Sequence, residues 1–262
     1  MKFNRIYALL MRHTYLYKRS FPRLMNIFYW PVMELLLWGF MSIYLERANL
    51  VGFNAVTVLL GAIILWDLLS QSQNAVSIAF LEDVWERNFL NIFVTPLRIS
   101  EFLASAVLLG FVRIVIVAVV MGLLALGFYR FNILTLGLAL IPFVANLLLF
   151  GWTLGLFTIA VILRFGTSAQ ILAFGFIFFI QPFSAVFYPV SALPEAARAI
   201  AYILPSTYVF EGMRAVIATG TFPVRDLVFA LGANSVYLAI VLVFFYRMFA
   251  RVKEMGLLMK LD

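Results

Sequence analysis

Six stretches of this chain are apolar and long enough to need lipid around them: residues 25–45, 55–80, 101–128, 133–163, 166–188 and 227–248. A helix crosses the hydrocarbon layer in about 20 residues, and a segment in lipid must satisfy its own backbone hydrogen bonds. The expectation is therefore an all-α integral membrane protein, a single transmembrane domain over residues 1–262. The sequence contains no internal repeat, low-complexity tract or soluble domain. Composition agrees, with 65% of residues hydrophobic and 12% charged, where soluble domains carry about a quarter charged. The third to fifth stretches approach or exceed the length of a span, so tilt or extension beyond the bilayer is expected.

Charge sets the orientation. In a six-span topology Arg47, Arg130, Arg198, Arg214 and Arg225 fall on one side and Arg113 lies within the third span. The remaining thirteen of the 19 Lys and Arg residues fall on the side that holds both termini. Lys and Arg are retained on the cytoplasmic side, so both termini are expected there. The net charge of +7 then reflects orientation, and no nucleic-acid partner is expected. With no cysteine, disulfides and thiolate sites are excluded, and a single histidine, His13, excludes a metal centre built from several histidines. His13 itself reads as an interfacial side chain.

Basic residues interrupt every apolar run before Arg23 and no small-residue cleavage site follows, so a cleavable signal is not expected. Residues 1–23 instead predict an amphipathic interface helix, with Arg5, Arg12 and Arg19 on one stripe and Phe3, Ile6, Leu10 and Tyr17 opposite. Its cations would face anionic lipid headgroups. Residues 249–262 form a cytoplasmic tail. The connection 81–100, on the cytoplasmic side, predicts a short helix from Glu82 to Phe93, with acids in its first turn and Pro96 ending it. The connection 189–226, on the outside, holds apolar stretches 196–204 and 207–218 separated by Pro205. Each is too short to span, which fits a re-entrant helical hairpin.

Ionisable residues inside a membrane are costly and rarely idle. Three stand out: Glu34, Asp67 and Arg113. Asp67 and Arg113 lie about 13 and 12 residues from the cytoplasmic ends of their spans, roughly 18–20 Å deep at 1.5 Å per residue. Arg113 is expected to pair with Asp67 or with the competing Glu34. Ser70, Gln71, Asn74 and Ser77 continue a polar stripe from Asp67; lining a pathway and bonding to neighbouring helices remain equal alternatives. Gly151 and Gly155 form a GxxxG pair, expected to pack within the subunit. Gln181-Pro182 should bend the fifth span. In the hairpin, Glu211 and Arg214 at i,i+3 predict an ionic brace.

The hairpin reads Pro189, Leu193-Pro194, then Pro205-x-Thr207-Tyr208 followed by Glu211 and Arg214. The inner loop reads Glu86-Arg87, Val94-Thr95-Pro96 and Glu101. On these residues the chain resembles the permease subunits of type-2 ABC exporters, which move drugs, glycolipids, polysaccharides and nodulation factors out of bacteria. Where that family often has Gly-Thr after the Glu-Arg pair, this chain has Asn88 and Phe89.

The resemblance implies an interface helix, six spans, a cytoplasmic coupling helix and the external hairpin, in the bacterial inner membrane. It also implies a homodimer served by two ATP-binding subunits. No GxxxxGK[ST] loop is present, and Lys2, Lys18, Lys253 and Lys260 lie in the terminal segments. ATP and Mg would therefore sit on the partner, with no cofactor on this chain and no enzymatic activity of its own. Glu82, Asp83, Glu86 and Arg87 would pair with that partner while Trp85 or Phe89 fills an apolar cleft. The cargo would be an amphiphile: a glycolipid, a lipid-linked polysaccharide or a hydrophobic drug. The alternative is a membrane acyl- or glycosyltransferase using Asp67 or Glu34 as base, for which the sequence offers no further catalytic cluster.

Overall fold

A computed structural model describes residues 2–48, 53–86 and 88–255. Among the described residues the regular structure is helical: α1 (Phe3–Arg19), α2 (Phe21–Arg47), α3 (Phe53–Trp85), α4 (Phe89–Val94), α5 (Ile99–Tyr129), α6 (Leu140–Phe165), α7 (Ile171–Ile180), α8 (Glu195–Ile203), α9 (Pro205–Thr219) and α10 (Val224–Glu254). Five of them, α2, α3, α5, α6 and α10, are long and apolar enough to cross a membrane.

The fifth apolar stretch is the exception. It is divided into a 3₁₀ turn at Thr167–Gln170, the ten-residue α7 and a second 3₁₀ turn at Gln181–Ser184. The bend expected at Gln181-Pro182 appears as this change of helix type, since Pro182 has no amide hydrogen to continue the α ladder. A 3₁₀ segment, Ile133–Ala139, also precedes α6, and Gly137 at φ 58° turns the chain between them.

α3 is the central helix. It touches α2, α5, α6, α7 and α9, and 67% of its most apolar window is buried, against 17% for α10. The GxxxG pair explains the closest of these contacts. A Cβ on Gly151 would stand 1.6 Å from Ser72 Oγ and 2.6 Å from the Leu69 carbonyl oxygen, and one on Gly155 would stand 2.8 Å from Val76 Cβ. Only glycine lets the two backbones approach so closely, and the contact lies inside one chain, as expected. On its other side α6 holds α10, where Asn234 Nδ2 donates to the carbonyl and side-chain oxygens of Asn146, both at 3.1 Å. Trp66, Phe143 and Phe210 fill one half of the core, beneath α9. Phe80, Phe102 and Phe245 fill the other, towards α4.

Two expectations need correction. The helix predicted from Glu82 to Phe93 does not exist as a unit: α3 continues to Trp85, and α4 covers only Phe89–Val94, with Thr95 closing it before Pro96. Glu82 and Asp83 thus stand at the C-terminal end of a long helix, where the dipole disfavours acids; arginines from α1 and α2 offset that cost. The predicted interface helix forms, but it is not a free amphipath. Leu9, His13 and Tyr17 face inward, and the arginine stripe is partly consumed by acids of the protein. The hairpin appears as α8 and α9, meeting at Pro205 as expected. α10 extends into the segment predicted as a tail, of which residues 256–262 lie outside the described residues.

Candidate functional site

At the α4 end of the bundle, acids and arginines distant in sequence converge. Arg12 Nη2 donates to Asp83 Oδ1 at 2.6 Å and to Glu86 Oε2 at 3.5 Å. Arg23 pairs with Glu86 through Nη2 and lies 3.7 Å from Glu82 through Nε. The Asp83 side chain is 1% exposed, so the loss of its arginine would strand a buried charge. Glu101, in the first turn of α5, accepts from the backbone amides of Lys2 at 2.7 Å and Arg98 at 3.0 Å, and from Arg5 Nη1 at 3.3 Å. An acid there matches the helix dipole and also anchors the start of α1. Between α1 and α4 runs a groove of about 440 Å³, lined by Arg5, Leu9, Arg12, Asn91, Ile92 and Pro96 among others.

This arrangement changes the reading of the proposed coupling residues. Glu82, Asp83 and Glu86 are brought together, but with arginines of their own chain. Trp85 is half exposed and its Nε1 donates to Gln170 Oε1 at 3.0 Å. Arg87 lies outside the described residues, as does the side chain of Phe89. His13 is buried beside the cluster, 1% exposed. Burial lowers its pKa from the usual value near 6.5, against an opposing pull from Asp83, so it is held neutral.

Tyr17 links this cluster to the membrane interior. Its hydroxyl lies 3.4 Å from Glu82 Oε2 and accepts from Arg113 Nη1 at 3.0 Å. The Arg113 guanidinium also sits over the Tyr17 ring, 5.0 Å from its centroid, a cation–π contact. Burial raises the Tyr17 pKa, with Arg113 opposing; the phenol keeps its proton. The ion pair expected between Arg113 and Asp67 or Glu34 is absent among the described residues. The long arginine side chain reaches instead towards the phenol and the acids at the end of α3, a lower-cost position for its charge.

Asp67, Glu34 and Arg113 nevertheless share a space. A cavity of about 310 Å³ is lined by Trp30, Glu34, Asp67, Ser70, Gln71, Asn74, Ile78, Arg113, Ile177 and Phe178. The polar stripe of α3 is therefore divided. Ser70, Gln71 and Asn74 face the cavity, whereas Ser77 accepts from Gln73 Nε2 at 3.3 Å in the interior, and the same amide reaches Thr158 of α6 at 3.5 Å. Three residues of the stripe thus line a cavity, Ser77 bonds within its own helix, and the bond to a neighbouring helix is made by Gln73. Among the described residues no group of His, Cys, Asp or Glu is placed to hold a metal ion.

At the opposite end, the expected brace is present and has a specific target. Arg214 Nη2 lies 3.2 Å from Glu211 Oε1. Arg214 also donates to the carbonyls of Ala185 and Val186, and Glu211 accepts from the Val190 amide at 2.7 Å. Ala185 sits at φ 52°, a left-handed conformation that alanine adopts at a cost. The pair fixes the strained turn where α7 gives way to the hairpin. Ser206 bonds Ser184 at 2.9 Å, Thr207 Oγ1 reaches the Phe183 carbonyl at 3.5 Å and Tyr208 caps the Tyr202 carbonyl at 2.8 Å. Pro194 and Pro205 mark the starts of α8 and α9.

Sequence reasoning missed Tyr17, Arg23 and the anchoring role of Glu101. Glu101 had a legible signal, an acid three residues after the position that precedes a helix. A tyrosine on an amphipathic face carries no such sign. Residues 4–218 match the family model described as ABC-2 type transporter, a range that takes in the ion-pair cluster, the cavity and the Glu211–Arg214 pair. No individual curated protein matches the chain.

Proposed function

This chain belongs to the ABC-2 type transporter family, and on that footing we propose that it is the membrane half of an ATP-driven exporter. It is a multi-pass membrane permease. In this reading the segment 168–184 completes a sixth pass, both termini and α4 face the cytoplasm, and the hairpin faces outward across a bacterial inner membrane. Two copies pair, two separate ATP-binding subunits dock beneath them with ATP and Mg, and the cargo is an amphiphile.

One observation carries the proposal: α3 and α5 each have a foot in the ion-pair cluster and a wall in the cavity. Asp83 and Glu101 tie them to α1 at one end, and Asp67 and Arg113 face the cavity further in. Force applied at α4 is then shared by the helices that bound the cargo space. ATP supplies that force by binding the closed motor better than the open one. The groove between α1 and α4 offers an apolar floor of Leu9 and Ile92 with Arg5 and Arg12 on its rim, suited to an inserted side chain of the motor.

The test uses the absence of cysteine. Asn91 is exposed on α4 and Thr221 beside the hairpin. In membranes containing the full chain and its ATP-binding subunit, Asn91→Cys should react only from the cytoplasm and cross-link to that subunit. Thr221→Cys should react only from outside. Asn91→Cys labelled solely from outside would overturn the proposal.

A further inference from the structure

The cavity in the membrane holds more acid than the protein neutralises. Arg113, the cation expected to balance Asp67 or Glu34, is turned to Tyr17. Asp67 is 5% exposed, and its Oδ2 has no hydrogen-bond partner. Glu34 lies close enough to interact with it electrostatically and accepts no hydrogen bond among those described. Asn74 Oδ1, on the next turns of α3, is buried and unpartnered as well. The Gln71 side chain bonds to Asp67 but leaves Oδ2 without a donor, which is costly for a buried carboxylate oxygen, and these three acceptors face one space.

We propose that this cavity binds the protonated amine of a cationic amphiphile, with Asp67, Glu34 and Asn74 receiving the ammonium. A primary ammonium carries three donors and no acceptor, the complement of three facing acceptors. A carboxylate or phosphate headgroup would meet Asp67 and Glu34 as like charges. Ser70, Gln71 and the stem of Arg113, whose guanidinium is held at Tyr17, complete the polar lining, and the rest is apolar: Trp30, Ile78, Ile177 and Phe178. Trp30 and Phe178 are also exposed on the outer surface, so a hydrocarbon tail can leave the cavity towards lipid while the head stays on the acids. About 310 Å³ is at the lower end of ligand pockets, enough for a headgroup and the first carbons of a chain. The Trp30 ring adds a face suited to a cation.

The inference names the cargo class of the export reading and rests on it for its physiological meaning, but its test does not need the motor. The full chain is placed in phosphatidylcholine nanodiscs, and radiolabelled octylammonium is measured by equilibrium dialysis, with empty nanodiscs correcting for partition. Saturable binding is expected, undiminished by excess octanoate. Asp67→Asn should weaken it about tenfold or more, the scale of one charged hydrogen bond, and Glu34→Gln should weaken it several-fold. Thermal melting by tryptophan emission identifies folded variants; if Asp67→Asn does not fold, the half-buried Glu34→Gln decides. No saturable component, equal displacement by octanoate, or full binding by a folded Asp67→Asn would overturn the proposal. Retained binding with no ATP-driven transport in the assembled complex would instead sink the export reading alone.

Discussion

Arg113 shows how a single side chain redistributes the chemistry of a membrane interior. A guanidinium on a long stem can move its charge several ångströms along the helix, and here it chooses a phenol near the helix ends over a carboxylate deeper in. Tyr17→Phe removes the hydroxyl shared with Arg113 and Glu82; a loss of about 1–3 kcal/mol is expected, read as a lower melting temperature in detergent. His13 adds a pH dependence. Its pKa in the docked helix lies below the value near 6.5 of a free histidine, so the undocked form takes up the proton first. Docking of α1 is therefore at full strength above about pH 6.5 and weakens as pH falls below it. Hydrogen exchange of the α1 amides should accelerate over that range, and His13→Gln should remove the dependence. At the other end, Arg214→Gln leaves the Ala185 and Val186 carbonyls without their donor. A cost of about 1–3 kcal/mol is expected, and Ala185→Gly, which relieves the left-handed strain, should restore part of it.

At the scale of elements, the decisive contact is that of α3 with α6. Gly151→Ala would set a methyl against Ser72 and the Leu69 backbone, neither free to retreat far in a close-packed interface. Overpacking of this kind costs about 1–3 kcal/mol, and a fall in thermal stability and membrane yield is the expected outcome. Gly175, with open space at its Cβ position, should accept alanine without such loss. The helices themselves were largely readable. Long uncharged runs can only be helices in lipid, and the hairpin was announced by Pro194 and Pro205. The end of α3 was not. Acids at 82 and 83 look like the beginning of a helix, and only the arginines of α1 and α2, some 60 to 70 positions earlier, make them tolerable at its end.

For the whole molecule, the same ion pairs that dock α1 hold the ends of α3 and α5, the helices that carry Asp67 and Arg113 to the cavity. On the export reading proposed above, Asp83→Asn should leave the chain in the membrane and still joined to an ATP-binding subunit, while transport per ATP hydrolysed falls in proteoliposomes; unchanged stoichiometry would remove the cluster from the proposed coupling route. Sequence alone determined the solvent, the helical class, the two unusual connections and the residues able to carry charge inside the membrane. Hydropathy, proline and charge are local properties, and a bilayer converts them almost directly into structure. Which charge meets which partner was decided only by tertiary packing. Arg113 had two carboxylates within plausible depth, and depth along a helix says nothing about the direction in which a side chain leans. The choice of Tyr17 depends on where α1 docks, and that docking rests on Asp83, Glu86 and Glu101, contacts that exist only once the helices are assembled.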